Sequence, residues 1–108
     1  MKSIYPDIAT LLLELEAEMR VLELWQDEWP SAEALASTQP FCVDTLTLPQ
    51  WLQFVFLPRM SQLVEAELPL PGECGIAPMA EEFFRGSALP FSGLVAKLGE
   101  IDQRLARG

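Results

Sequence analysis

The chain contains no histidine, only two cysteines, and seven Lys and Arg against sixteen Asp and Glu. Each shortage removes a class of function. Without histidine there is no Ser–His or Cys–His nucleophilic pair and no imidazole ligand. Neither Lys2 nor Lys97 adjoins a serine motif that would make a Ser–Lys alternative. Cys42 and Cys74 do not form a CxxC pair, so a structural zinc site lacks its ligands. Neither a metal nor any other cofactor is expected. The net charge of −9 repels polyanions, and clustered basic residues able to release counterions from phosphate are missing. Direct nucleic-acid binding is therefore not expected. No apolar run approaches the roughly 18–20 residues of a membrane span. Met1 to Asp7, followed by Glu14, offers no apolar stretch and no small-residue cleavage site like those of a signal peptide. A cytoplasmic location with reduced thiols is the expectation.

What is present is a core. Half of the 108 residues are hydrophobic, and the length suits one domain over residues 1–108. Pro6-Asp7 opens a helix, since a proline in the first turn loses no hydrogen bond. Ile8, Leu11, Leu12, Leu15, Met19 and Leu22 then fall three and four apart, which is one buried stripe. Glu16 precedes Arg20 by one turn in the favourable order. This helix should fade between Trp25 and Trp29, before Pro30. Ser31 to Ser37 holds good helix formers for a short turn. Phe41 to Thr47 is β-prone but has no second strand to pair with, so it reads as an extended, packed loop.

Thr47-Leu48-Pro49-Gln50 has the pattern of a capping box, with Pro49 in the first turn. The run Trp51-Leu52-Gln53-Phe54-Val55-Phe56-Leu57 is apolar nearly all round, as a central helix covered by its neighbours would be. Pro58 should kink or split it before Met60, Leu63 and Val64 carry it to about Glu65. Leu68 to Gly72 is a proline-stiffened connector closing in a Pro-Gly turn. Pro78 opens a short helix that Gly86 ends. Pro90 starts the last, whose stripe is Phe91, Leu94, Leu98, Ile101 and Leu105, with Glu100 one turn before Arg104. The fold class is all-α: an irregular bundle of about four or five helices with a proline-kinked central helix.

The middle of the chain carries a more specific pattern. Ser37-Thr38-Gln39-Pro40-Phe41, Asp44-Thr45-Leu46 and Trp51-Leu52-Gln53-Phe54 follow one another, then Leu57-Pro58-Arg59-Met60, Leu68-Pro69-Leu70-Pro71-Gly72 and Ile76-Ala77-Pro78. In this order they resemble the signature of the YqcC-like family of bacterial proteins, over essentially the whole chain. The resemblance implies a compact fold of about four or five helices, in keeping with the bundle read above. The family is a domain of unknown function, described as associated with tRNA pseudouridine synthase C, whose gene lies beside it in some bacteria. Pseudouridine synthases rest on a nucleophilic aspartate, commonly in an Arg-Leu-Asp context. Here the nearest string is Arg104-Leu105-Ala106, which lacks it. An accessory role therefore fits better than catalysis.

Six residues are candidates for contact with a partner or ligand. Asp44 and Arg59 lie in the specific central block. Their structural roles would be an Asx turn and a cap or carboxylate pair, their functional role an anchor for an anionic ligand or a partner's carboxylate. Thr38 and Gln39 read first as loop hydrogen-bonders and second as partner contacts. Trp25 and Trp29 flank a helix end, where both read first as cover for the core edge. Exposed together they would form a hot-spot pair for a protein partner. Trp51 belongs to the core. Cys42, between Phe41 and Val43, reads as a small buried hydrophobe, and Cys74 as a more exposed thiol. Glu81 and Glu82 point apart on a helix and form no catalytic pair. The resulting expectation is a non-catalytic module that binds a protein, such as a tRNA-modifying enzyme. The alternative is a small-ligand binder, or an unrecognised enzyme, with its pocket between the central helix and the Ser37–Leu46 loop.

Overall fold

Helix α1, Tyr5–Val21, begins with proline in its first turn and ends in a Schellman motif. There the Leu24 N–H donates to the Met19 carbonyl (2.9 Å) and the Glu23 N–H to that of Arg20 (3.0 Å). The computed structural model describes residues 4–72, 75–88 and 90–107, excepting the side chains of Pro40 and Arg107. Cys74 lies outside the described residues. Every residue of the predicted α1 stripe, from Ile8 to Leu22, is buried. Trp25 to Trp29 belong to no helix. The left-handed conformation of Glu23 (φ 59°) has already turned the chain away.

A single turn, α2 (Ala32–Leu35), follows, capped by Ser31, whose Oγ accepts the Ala34 N–H. The β-prone stretch is not extended. Pro40–Cys42 forms a 3₁₀ turn with Phe41 and Cys42 at φ 58° and 50°, and the Cys42 carbonyl accepts the N–H groups of Thr45 and Leu46. With no strand beside it, this backbone meets its hydrogen bonds by folding on itself. Cys42 is buried, as expected of it.

The capping box forms as read. In α3, Leu48–Trp51, the Thr47 Oγ1 accepts the Gln50 N–H and the Gln50 side chain accepts the Thr47 N–H. The helix then passes through a π-helical turn, Leu52–Phe56, into α4, Leu57–Glu65. The Leu57 N–H reaches back five residues to the Leu52 carbonyl. Pro58 thus enters the first turn of α4, where its missing N–H and its ring are tolerated. A second Schellman motif ends α4, with Glu67 at φ 51°.

Helix α5, Ile76–Phe84, starts two residues before Pro78. The reason is Asp102, on helix α6 (Ser92–Arg107). Its two carboxylate oxygens accept the N–H groups of Ile76 (3.1 Å) and Ala77 (2.8 Å). A carboxylate there meets two orphan donors and the positive end of the helix dipole. Gly86, at φ 81°, follows the end of α5.

α1 packs against both α4 and α6, and α6 in turn against α5. Leu94, Leu98, Ile101 and Leu105 bury the α6 stripe against Ile8, Leu15 and Met60 in one core cluster. Lys97 on α6 reaches across to Glu14 on α1 (3.3 Å) and, within its own helix, to Glu100 (3.2 Å), while Arg104 pairs with Asp7 on α1 (3.5 Å). In place of the expected Glu100–Arg104 pair, Glu100 meets Lys97 within α6 and Arg104 crosses to Asp7 on α1, whereas Glu16–Arg20 forms at 2.9 Å. Burial pulls the Lys97 pKa down, but hydrogen bonds and charge from Glu100 and Glu14 outweigh it and hold the value above the ordinary lysine range. A raised lysine stabilises the fold below its unfolded-state pKa, so this contribution is intact at neutral pH and lost only in strong base.

Two tests follow from the helix ends. Asp102→Ala should lower stability by about 1–2 kcal/mol, read as a lower urea midpoint at unchanged slope. Asp102→Asn should keep part of it, and an unchanged midpoint in both would refute the cap. Glu23→Gly and Glu67→Gly should each raise stability by about 0.5–1 kcal/mol, because glycine carries no left-handed penalty. A loss of stability in both would contradict this.

Candidate partner-binding site

The one polar residue in the apolar run after Trp51 organises the most distinctive surface. Gln53 is 7% exposed and sits in the π-helical turn. The extra residue of such a turn offsets it by about 100° from the register of α4. Its Oε1 accepts the Gln26 N–H (3.0 Å) and its Nε2 donates to the Gln26 carbonyl (2.6 Å). One side-chain amide thus pairs with both backbone groups of one loop residue. The Gln26 side chain donates to the Glu28 carbonyl and accepts from Gln50 Nε2 (3.4 Å). Three glutamines therefore pin the segment after α1 onto the central helix.

The two tryptophans flank that clamp. Trp25 is half-buried against the core, with the Arg20 guanidinium 4.6 Å from its ring centre. Trp29 is 67% exposed, with its ring tilted against Phe54 at 4.7 Å. The reading of Trp29 as core cover is therefore corrected. Gln53 holds the loop from below, so the ring rests on Phe54 at the surface. Both tryptophans line a cleft of about 430 Å3 together with Gln53, Phe54, Glu16 and Asp27. Trp51 packs between Phe41 (4.9 Å) and Phe56 (5.3 Å) at the edge of the core.

The other candidates stand apart from this cleft's lining. Asp44 is exposed and accepts the Ser37 hydroxyl at 2.5 Å, in place of an Asx turn. Thr38 and Gln39 are exposed, and the Gln39 N–H donates to Ser37 Oγ (3.1 Å). Arg59 is exposed on α4, and among the described residues it pairs with no carboxylate. Its expected structural partner is thus missing, because it follows Pro58 on the outer face of the helix. The cleft on the central helix is walled by residues 25–29 and not by the Ser37–Leu46 loop. Among the described residues no three His, Cys, Asp or Glu side chains converge to hold a metal ion, and no helix is long and apolar enough to cross a membrane.

Gln53, Gln26, Phe54 and Asp102 were not singled out as site or capping residues. For Gln53 a signal existed: a lone amide inside an apolar run needs a buried partner. Gln53→Leu should lower stability by at least about 2 kcal/mol, since it strips partners from two backbone groups. It should also shift tryptophan emission as residues 25–29 loosen. An unchanged spectrum at unchanged stability would show that the clamp does not hold the loop.

The fold has close counterparts. The solution NMR structure of protein YqcC from Escherichia coli superposes with a TM-score of 0.82 at 33% identity, covering 97% of this chain and 90% of that one. In sequence, the uncharacterised protein YqcC of Escherichia coli K12 is 35% identical over 95 residues, 88% of this chain and 87% of its own length. An uncharacterised Haemophilus influenzae protein is 45% identical over 71 residues, 66% of this chain and 67% of its own. A Pectobacterium carotovorum protein named tRNA pseudouridine synthase C is 47% identical over 60 residues, 56% of this chain but only 16% of that longer protein. The family profile DUF446, described as tRNA pseudouridine synthase C, matches residues 7–104. By that match and these relatives, the chain belongs to the DUF446 family, with YqcC among its similar proteins.

Proposed function

We propose that the protein is a non-catalytic accessory module that docks on a tRNA-modifying enzyme of the pseudouridine synthase kind and does not itself contact RNA. The observation that carries this reading is Trp29, held open on Phe54 beside Trp25 by the Gln53 clamp. Exposed, pre-positioned tryptophans are the residues that most often dominate a protein interface. A rigid loop also avoids the ordering cost of binding.

Two further facts support the partner's nature. The Pectobacterium relative holds a stretch like this one inside a much longer chain named as the synthase. Joined to an enzyme, a module enjoys a high effective concentration. As a separate chain it needs an interface strong enough to find the enzyme unaided. The net charge of −9 supplies long-range attraction to a basic, RNA-binding surface while repelling RNA itself. The cleft's volume of about 430 Å3 also suits a small ligand. Thermal stabilisation of the protein by a metabolite, lost in Trp29→Ala, would favour that second reading.

The test is direct. The purified protein and the pseudouridine synthase of the same host should form a complex by sedimentation and calorimetry, weakened by salt. Trp29→Ala should cost about 2 kcal/mol, roughly thirtyfold in affinity. Absence of complex at roughly 0.1 mM of each protein and low salt, where micromolar affinity would saturate, overturns the proposal.

A further inference from the structure

The cleft beside Trp29 does not end there. Glu16, Leu57 and Ser61 also line a second, apolar depression of about 270 Å3 between α1 and α4. Its floor and walls include Ala9, Leu12, Leu13 and Val64. Leu13, inside it, is 71% exposed. The two depressions adjoin at these shared residues and together make a groove. From Ala9 to Glu16 it follows about 10 Å of the α1 axis, two helical turns.

The charge of this groove has one sign. Glu16, Asp27 and Glu65 line it, and no Lys or Arg does. Arg20, over Trp25, is already tied to Glu16 at 2.9 Å. Apolar floor, aromatic end and carboxylate rim together match one kind of occupant. We infer that the groove from Leu13 to Trp29 binds a basic amphipathic helix of the partner protein. Its apolar side chains, spaced i, i+3/i+4 and i+7, would lie against Leu13 and Val64. Its Lys or Arg side chains would meet Asp27 and Glu65, with one cation against the Trp29 ring. This rests on the accessory reading for the partner's existence but not for its chemistry.

The probe is a synthetic helix of about 20 residues, leucine and lysine at amphipathic spacing, titrated into the full isotope-labelled chain by NMR. Shift changes should cluster at Ala9, Leu13, Ser61 and Trp29, and the same peptide with glutamate for lysine should not bind. Leu13→Asp and Trp29→Ala, both at exposed positions, should melt near the parent and each bind at least tenfold more weakly. Leu13→Asp adds a negative charge, so attraction by net charge alone predicts tighter binding and the groove predicts weaker. Undiminished binding in both variants, shifts spread over other acidic faces, or no binding at millimolar peptide each overturn the inference. Concentration-dependent broadening confined to the groove without peptide would assign it to a second copy of the chain, and overturn it too. No synthase enters this assay. A synthase complex without peptide binding sinks only the groove. Peptide binding without a synthase complex sinks only the choice of enzyme.

Discussion

A proline that cannot donate a hydrogen bond shapes the face of this protein that carries its two loop tryptophans. Pro58 falls in the middle of a long apolar helix, where an ordinary α-helical ladder would call for its N–H. The π-helical turn at Leu52–Phe56 precedes it, with the Leu57 N–H reaching to Leu52. That turn sets Gln53 against the backbone of Gln26, in a site too buried to leave an amide unpaired. Among the described residues, no buried side-chain nitrogen or oxygen lacks a partner. From the turn follow the loop, the two tryptophans and the cleft between them.

The long-period features of the fold were legible in the sequence. The stripes of α1 and α6 have enough repeats that local spacing alone fixes the buried face: their members from Ile8 to Leu22 and from Leu94 to Leu105 are buried, and only Phe91, which precedes the first turn of α6, is half-buried. The Thr47–Gln50 capping box was equally plain, since both partners lie within one turn. What escaped depends on pairs far apart in the chain or on an unusual backbone. Asp102 caps α5 from 26 positions downstream, so nothing near Ile76 announces it. Glu23 and Glu67 hold left-handed positions where glycine is the usual marker. Phe41 to Thr47 reads as β-prone by composition, but propensity decides little without a strand to pair with.

The candidate site was half legible for the same reason. That Trp25 and Trp29 flank a helix end follows from Pro30 and the fading stripe. Whether they face core or solvent is decided by Gln53, 27 positions from its partner. Arg59 sits in a specific block, yet a block can be specific for its backbone. Leu57-Pro58 and Trp51-Leu52-Gln53-Phe54 are the residues that make and occupy the π-helical turn. Arg59 stands beside that device without joining it.

The way the loop is held matters for binding. A surface loop fastened by burying its own tryptophans would have to surrender that burial to offer them to a partner. Trp25 packs partly against the core, but the segment that carries Trp29 is fastened by polar contacts. Gln53 grips the main chain of Gln26, and Gln50 and Glu28 engage its side chain. Trp29 needs only one face of its ring on Phe54 to be placed, and the rest remains in contact with solvent. An aromatic side chain with two torsions, already ordered, loses little entropy on association. Most of the area it then buries counts toward affinity. The same carboxylates that leave the groove without a cation of its own also discourage two acidic copies from closing on it. For the partner proposed above, charge would select its sign, and the clamp already holds the ring in place.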